Sequence, residues 1–219
     1  AQDILREFVM TFVSFFAKKQ IIIAVLFLLL FRLPEALLTP VSQLFLQALP
    51  SKGGLGLSPQ EFGLVNGTVG VIGFLVGGII GGMLISRDGL KKWLWPMTLA
   101  ITIPNLTYVY LAYVMPENLM LINVCVAIEN LGYGFGFSAY MLFMIYFSQG
   151  EHKTSHYALC TGLMALSMML PGLFAGALAQ AAGYRLFFII VMISCLLPFC
   201  VASFLKIDAN FGKKEREEE

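Results

Sequence analysis

The sequence predicts an all-α membrane protein with six transmembrane helices, and three observations predict it. Its 219 residues are 58% hydrophobic and 12% charged, with a mean hydropathy of +0.82. A soluble domain is about a quarter charged, so this chain has too few polar residues to cover a water-facing surface. Its apolar residues fall into six runs, each near the roughly 20 residues needed to cross a hydrocarbon core about 30 Å thick. Its charges cluster between those runs.

The first element is amphipathic. Ile4, Leu5, Phe8, Val9, Phe12, Val13 and Phe16 recur at helical spacing, with Asp3, Arg6, Glu7, Thr11, Ser14 and Lys18 between them. This pattern predicts a helix over 1–19 lying on the membrane surface. The expected spans follow at 20–47, 60–85, 93–115, 120–147, 157–182 and 186–205. Ser58, Pro59 and Glu61 mark the start of the second as an N-cap, a first-turn proline and a capping-box glutamate. The turns 116–119 and 183–185 are short enough to force antiparallel hairpins. The tail, 206–219, is polar and ends in the charge run Lys213 to Glu219, which is expected to be solvated.

Lysine and arginine set the orientation. The N-terminal stretch, 86–92, 148–156 and the tail hold eleven of them, whereas the opposite connections hold only Lys52 and Arg185. By the positive-inside rule both ends of the chain are cytoplasmic. The chain begins at Ala1 with no signal-peptide pattern, as expected of a fragment of a longer protein. Cys125, Cys160, Cys195 and Cys200 lie inside apolar segments, where thiols behave as small hydrophobes.

Glycines give the second span its packing faces: Gly63 and Gly67, then Gly73, Gly77 and Gly81, with Gly78 and Gly82 alongside. Gly172 and Gly176 beside Pro171 suggest close packing with a possible bend in the fifth. Polar residues interrupt two other spans. In the first, Arg32, Pro34 and Glu35 break an apolar stretch, and Pro40, Gln43 and Gln47 follow. An arginine at the bilayer centre costs at least about 2.5–3.5 kcal/mol, so Arg32 must face protein or water. Pro34 removes a backbone donor and predicts a kink or local unwinding beside the charges. In the fourth, Glu129 and Asn130 precede Gly132, Gly134 and Gly136, interleaved with Tyr133, Phe135, Phe137 and Tyr140. Counting helical rise, Arg32 lies about 18 Å into its span and Glu129 about 13 Å into its own from the other side, so both fall near the midplane. They can therefore form a buried ion pair that fixes packing, or face one solute or proton site.

His152 and His156 are four apart in a connection expected to be solvated, with no further metal-ligand residue nearby in sequence. No protease, hydrolase or phosphate-loop motif is present. Nothing recommends an enzyme, a cofactor, a metal or a nucleic-acid partner.

The segment Gly82-Met83-Leu84-Ile85-Ser86-Arg87-Asp88-Gly89-Leu90-Lys91 resembles the loop motif of the major facilitator superfamily, G-x-L-x-D-R-x-G-R-K. It departs at Ser86, where the family has the aspartate of a cytoplasmic latch, and at Leu90, where it has a basic residue. The stretches 31–36 (FRLPEA), 123–140 (NVCVAIENLGYGFGFSAY) and 156–159 (HYAL) look like AmpG-type muropeptide permeases. The resemblance implies the C-terminal half of a major facilitator transporter, entered through a cytoplasmic linker helix over 1–19, a bacterial inner-membrane symporter whose missing N-terminal half supplies six more helices. It implies an amino-sugar peptide as solute, protons as coupling partner and the lipid bilayer as surroundings. In that family the first and fourth helices of each half line the cavity. Arg32, Glu35, Asn130, Tyr133 and Tyr140 are then expected to bind solute, with Arg32 on an anionic group. Glu129 or Glu35 is expected to carry the proton, and Gly82, Arg87, Asp88, Gly89 and Lys91 to form the gating motif. Asn66, Asn105 and Gln43 are further candidates. A transporter of another sugar or organic anion, or a six-helix structural or channel subunit, are the alternatives.

Overall fold

A computed structural model describes residues 2–213, with side chains from Val9 onward, and among them the chain is helical with no strand. Of the expected surface helix, Ile4, Leu5 and Phe8 lie outside the described side chains. The charge run beyond Lys213 lies outside the described residues altogether. Helix α1 (Gln2–Phe16) leads into α2 (Ile21–Leu30) and α3 (Leu33–Gln47), separated at Phe31 and Arg32. The break follows from Pro34: as the second residue of α3 it lacks an N–H only where the helix has no use for one. Next come α4 (Pro59–Phe62), a π-helical stretch Gly63–Gly70 and α5 (Val71–Asp88). The Ser58–Glu61 capping box forms as the sequence predicts. α6 (Leu90–Thr102) and α7 (Leu106–Val114) flank a tight turn at Ile103–Asn105 made by Pro104. α8 (Leu119–Ser148), α9 (Lys153–Ser194) and α10 (Leu196–Ser203) complete the bundle.

Among the described residues five stretches are long and apolar enough to cross a membrane: Ile21–Gln47, Pro59–Asp88, Leu90–Val114, Leu119–Ser148 and Lys153–Ser203. Large apolar side chains such as Ile79, Leu173, Phe174 and Leu196 are more than 60% exposed on the outer surface, as lipid-facing positions require. The spans expected at 157–182 and 186–205 fall together in the 51-residue fifth stretch. Its helical path breaks at Gly183, whose φ of 74° and ψ of 157° are open essentially to glycine alone. Pro50, Lys52, Met115, Gly183 and Arg185 surround one cavity at one end of the bundle.

The bundle is organised around α8. A methyl on Gly77 would overlap the Leu131 carbonyl, and one on Gly134 the Phe74 carbonyl, so α5 and α8 meet backbone to backbone. Ser138 Oγ donates to the Gly78 carbonyl at 3.0 Å in the same seam. On another side Gly132 faces the Ala100 carbonyl and Gly136 faces Ile101 and Met97, which lets α6 approach equally closely. The glycines of the second span divide accordingly: Gly73, Gly77 and Gly81 are buried against α8, while Gly63, Gly67 and Gly82 have open space.

Two apolar clusters fill the interior. One holds Phe27, Phe31, Ile101, Tyr140 and Phe143; the other holds Leu38, Phe45, Tyr108, Val126 and Phe188. Three spans pass from one cluster to the other at polar residues: α2–α3 at Arg32 to Glu35, α6–α7 at Thr102 to Asn105 and α8 at Glu129 to Tyr133. These residues therefore form a layer between two greasy halves.

At the end carrying α1, Lys18 Nζ donates to the carbonyls of Phe147 (2.5 Å) and Gln149 (2.8 Å), placing a cation where α8 ends. Phe15, 1% exposed, packs edge-on to Phe147 and His156. His156 differs from its expected solvated position. It lies in α9 at 3% exposure, 3.0 Å from Ser14 Oγ, because α1 folds over it. The described part of the tail docks on the bundle: Ile207 is buried, the Phe211 ring meets Tyr146 at 4.8 Å, and the Leu90 N–H donates to the Phe211 carbonyl at 2.9 Å. Two apolar residues in a polar stretch are enough to dock it.

The glycine seam makes a specific prediction. Gly77→Ala and Gly134→Ala should each destabilise the protein by about 1–3 kcal/mol through overpacking, seen as a lowered melting temperature of the purified protein. Gly176→Ala, with no atom within 4 Å of the added methyl, should not lower it. Equal melting of all three would mean that α5 and α8 do not touch through their backbones.

Candidate functional site

Arg32 sits at the break between α2 and α3 and is 6% exposed. Its guanidinium lies 4.6 Å from the Phe137 ring centroid, 5.6 Å from that of Tyr133 and 5.7 Å from that of Tyr140. Positions 133, 137 and 140 share one face of α8, so a single helix supplies the whole aromatic wall. Desolvated cation–π contacts of this kind are worth about 2 kcal/mol or more. Nη2 donates a hydrogen bond to the Tyr133 hydroxyl, while Nε is buried without a partner among the described residues. Among the described residues no carboxylate forms an ion pair with Arg32; the ion pairs there are Arg87–Asp88 and Lys92–Asp88. The Arg32–Glu129 ion pair that equal depth permits is therefore not made.

Glu35, one turn further along α3, is 1% exposed and points elsewhere. Its Oε1 accepts from Asn105 Nδ2 at 3.0 Å, and Asn105 is presented by the tight turn at Pro104. Glu129 is 5% exposed, and its Oε2 accepts from Asn130 Nδ2 at 2.7 Å. The same amide donates to the Val126 carbonyl at 3.0 Å. Gly70, ending the π-helical stretch, leaves room for Asn130: a Cβ there would lie 3.3 Å from Nδ2.

Glu129, Asn130 and Tyr133 open onto a cavity of about 250 Å³ between α3, the π-helical stretch, α5 and α8. Gln43 from α3 and Asn66 from the π-helical stretch face it as well. π-Helical turns inside α-helices are often found at functional sites, because the extra residue turns a side chain out of register. The lining thus includes one carboxylate (Glu129), three side-chain amides (Gln43, Asn66 and Asn130) and two phenols (Tyr108 and Tyr133), and it can satisfy a solute rich in hydroxyl and amide groups.

The expected residues are not all brought together. Arg32 does not line this cavity but reaches it through Tyr133, which touches both. Glu35 and Asn105 are engaged with each other. Tyr140 is fully buried, donates to the Leu28 carbonyl at 2.7 Å and stacks with Phe31 and Phe137, a packing role. Sequence reasoning did not single out Thr39, Ser42, Phe74 and Tyr108, which also line the cavity, or Phe137, the ring nearest Arg32. Phe137 was open to discovery by its four-residue spacing from Tyr133; Tyr108 was not, because only the fold brings α7 here.

In the expected gating motif, Gly89 turns the chain with φ 91° and ψ 154°. Asp88 holds the turn: Oδ2 accepts from Trp93 Nε1 at 3.1 Å, and Oδ1 lies 3.2 Å from Lys92 Nζ and 3.7 Å from Arg87 Nε. Arg87 and Lys91 are exposed, and Gly82 faces open space. Ser86 donates only to its own helix, to the Met83 carbonyl at 2.8 Å.

No protein-family profile matches the chain. Among curated proteins it is 26% identical over 176 residues to the anhydromuropeptide permease of Escherichia coli, covering 80% of this chain and 35% of that one. It is 25% identical over 192 residues, 87% of this chain and 41% of the other, to a Rickettsia prowazekii protein designated AmpG 1. With a Rickettsia conorii protein designated AmpG 4 it shares 24% over 199 residues, 91% of this chain and 46% of the other. The chain thus spans less than half the length of the relatives it matches. Such names describe transport, not catalysis, and with its apolar helices the chain is a multi-pass membrane protein. Over 80% or more of its length it is similar to AmpG-type permeases, the family that its own motifs resemble.

Proposed function

We propose that this chain is the C-terminal, six-span half of a major facilitator transporter that imports anhydromuropeptides across the bacterial inner membrane by proton-coupled alternating access. A carboxylate, Glu129, opening onto a polar cavity between apolar clusters carries this reading. Intramembrane ionisable groups mark solute and proton routes more often than struts. The name of the Escherichia coli relative supports the solute class.

Six spans are supported by the break at Gly183. That residue lies with Lys52 and Met115 at one end, while Leu205 lies with Lys18 and Gln149 around a cavity at the other. A 51-residue stretch is long enough for two crossings, and the break supplies the reversal. In this reading the chain divides into a linker helix over 1–19, a bundle over 20–205 and a tail over 206–219. Lys18, Lys19 and Lys206 share one end and Lys52 and Arg185 the other, in line with cytoplasmic termini.

In the mechanism we favour, Glu129 rather than Glu35 carries the proton, because Glu129 faces the cavity and Glu35 is closed in by Asn105. Arg32 waits in its aromatic wall with a spare Nε donor and one phenol partner. An anionic group of the solute competes well for it, since a guanidinium binds a carboxylate through two charge-assisted hydrogen bonds. Solute charge then cancels Arg32 and the proton cancels Glu129, which lowers the cost of closing the site. Asn130, Tyr133, Gln43 and Asn66 position the uncharged parts. Arg87, Asp88, Gly89 and Lys91, with Gly82 before them, shape the loop over which the halves close.

In the whole transporter, with expression matched, Glu129→Gln should abolish accumulation driven by a proton gradient and spare exchange of labelled solute. Arg32→Ala should raise KM by about tenfold or more, the worth of a hydrogen bond to a charged group. Normal accumulation in both variants sinks the assignment. Competition by purified anhydromuropeptides distinguishes this solute from another sugar or organic anion.

The two tyrosines should separate. Tyr140→Phe removes a hydrogen bond worth about 1 kcal/mol of stability and should leave KM unchanged. Tyr133→Phe frees Arg32 and should alter KM with little change in melting temperature. Identical effects from the two would show that Tyr133 only packs.

A further inference from the structure

A second cavity, about 390 Å³, opens at the end carrying α1 and is separate from the polar layer. Its walls include Lys18, Lys19 and Lys206 above a floor of Phe143, Tyr146 and Phe147, and no carboxylate among the described residues lines it. Lys18 is fixed by the two carbonyls that end α8 and keeps one N–H to spare. Lys19 and Lys206 are exposed and form no ion pair with any described residue. The Lys206 backbone N–H donates to Gln20 Oε1 at 3.3 Å, which holds the tail lysine at the α1–α2 junction beside Lys19. Cationic groups over an aromatic floor match an amphiphile with an anionic head.

The neighbouring surface says where that amphiphile comes from. On α1, Val9, Val13 and Phe16 are 52%, 63% and 58% exposed at helical spacing, while Phe15 on the other side is buried. An exposed apolar stripe on a helix at the end of a membrane bundle rests in the interface between headgroups and acyl chains. The mouth of the cavity therefore lies at phosphate depth. Basic pockets between helix ends recognise anionic headgroups.

We infer that this cavity binds one anionic phospholipid, its headgroup phosphate among Lys18, Lys19 and Lys206 and the start of an acyl chain against Phe143 and Phe147. The site would tie α1, the end of α8 and the chain after α10 together through a lipid.

The test uses the full-length protein in detergent, titrated with phosphatidylglycerol or phosphatidylcholine, bound lipid being counted by native mass spectrometry. One phosphatidylglycerol should be retained in preference to phosphatidylcholine, and millimolar inorganic phosphate should not displace it. Lys19→Gln with Lys206→Gln should weaken phosphatidylglycerol roughly 30-fold, about fivefold per lysine, and leave phosphatidylcholine unchanged. Both lysines are exposed, so the double variant loses no buried contact, and an unchanged melting temperature verifies its fold. Equal retention of phosphatidylglycerol by the double variant, or equal binding of the two lipids, overturns the proposal. Displacement by phosphate alone also overturns it, because the site then binds a free anion and the apolar floor contributes nothing.

Discussion

Helix α8 meets neighbours through bare backbone on two sides at once, and the rest of the bundle is arranged around that constraint. Gly134 admits α5 and Gly132 with Gly136 admit α6, so at those three positions no side chain can stand between the backbones. The bulky and polar groups of the segment are left to the remaining face, where Glu129, Tyr133, Phe137 and Tyr140 follow one another along the helix. Small residues drive helix association in lipid, where apolar burial gives little advantage. The packing requirement and the placement of the cavity are therefore one feature of sequence.

Among the described residues the interior charges Arg32, Glu35 and Glu129 form no ion pair. Arg32 is met by three rings, one of which, Tyr133, also accepts its hydrogen bond, Glu35 by the Asn105 amide, and Glu129 by the Asn130 amide. A buried ion pair is a deep electrostatic well, and removing one partner strands the other at a cost of about 3–5 kcal/mol. Neutral partners are easier to exchange. Under the transport reading this matters, because a guanidinium locked to a carboxylate would be hard to recruit for a passing solute.

Much of this was legible in the sequence because a bilayer leaves few choices. The break at Arg32 followed from Pro34, the start of α4 from Ser58, Pro59 and Glu61, and the all-helical class from composition. The α8 polar cluster was legible as well, since Glu129 and Asn130 stand out in an apolar run. Partner choice was not. Depth along a helix placed Arg32 and Glu129 at one level but gave no azimuth, and azimuth sends Arg32 to the rings and Glu35 to Asn105. The docking of Ile207 and Phe211 was missed because two apolar residues in a polar tail carry no periodicity. His156 was misjudged because the face that covers it belongs to α1, far away in sequence.

The docked tail has a mechanical corollary. With the Phe211 carbonyl bonded to the Leu90 amide and its ring against Tyr146, the strap after α10 spans the α5–α6 hairpin and the last turn of α8. Those pieces cannot rotate against one another without unfastening it. A spectroscopic label at Ala209 would thus register a hinge between helices, whereas one on a freely tumbling terminus would register nothing.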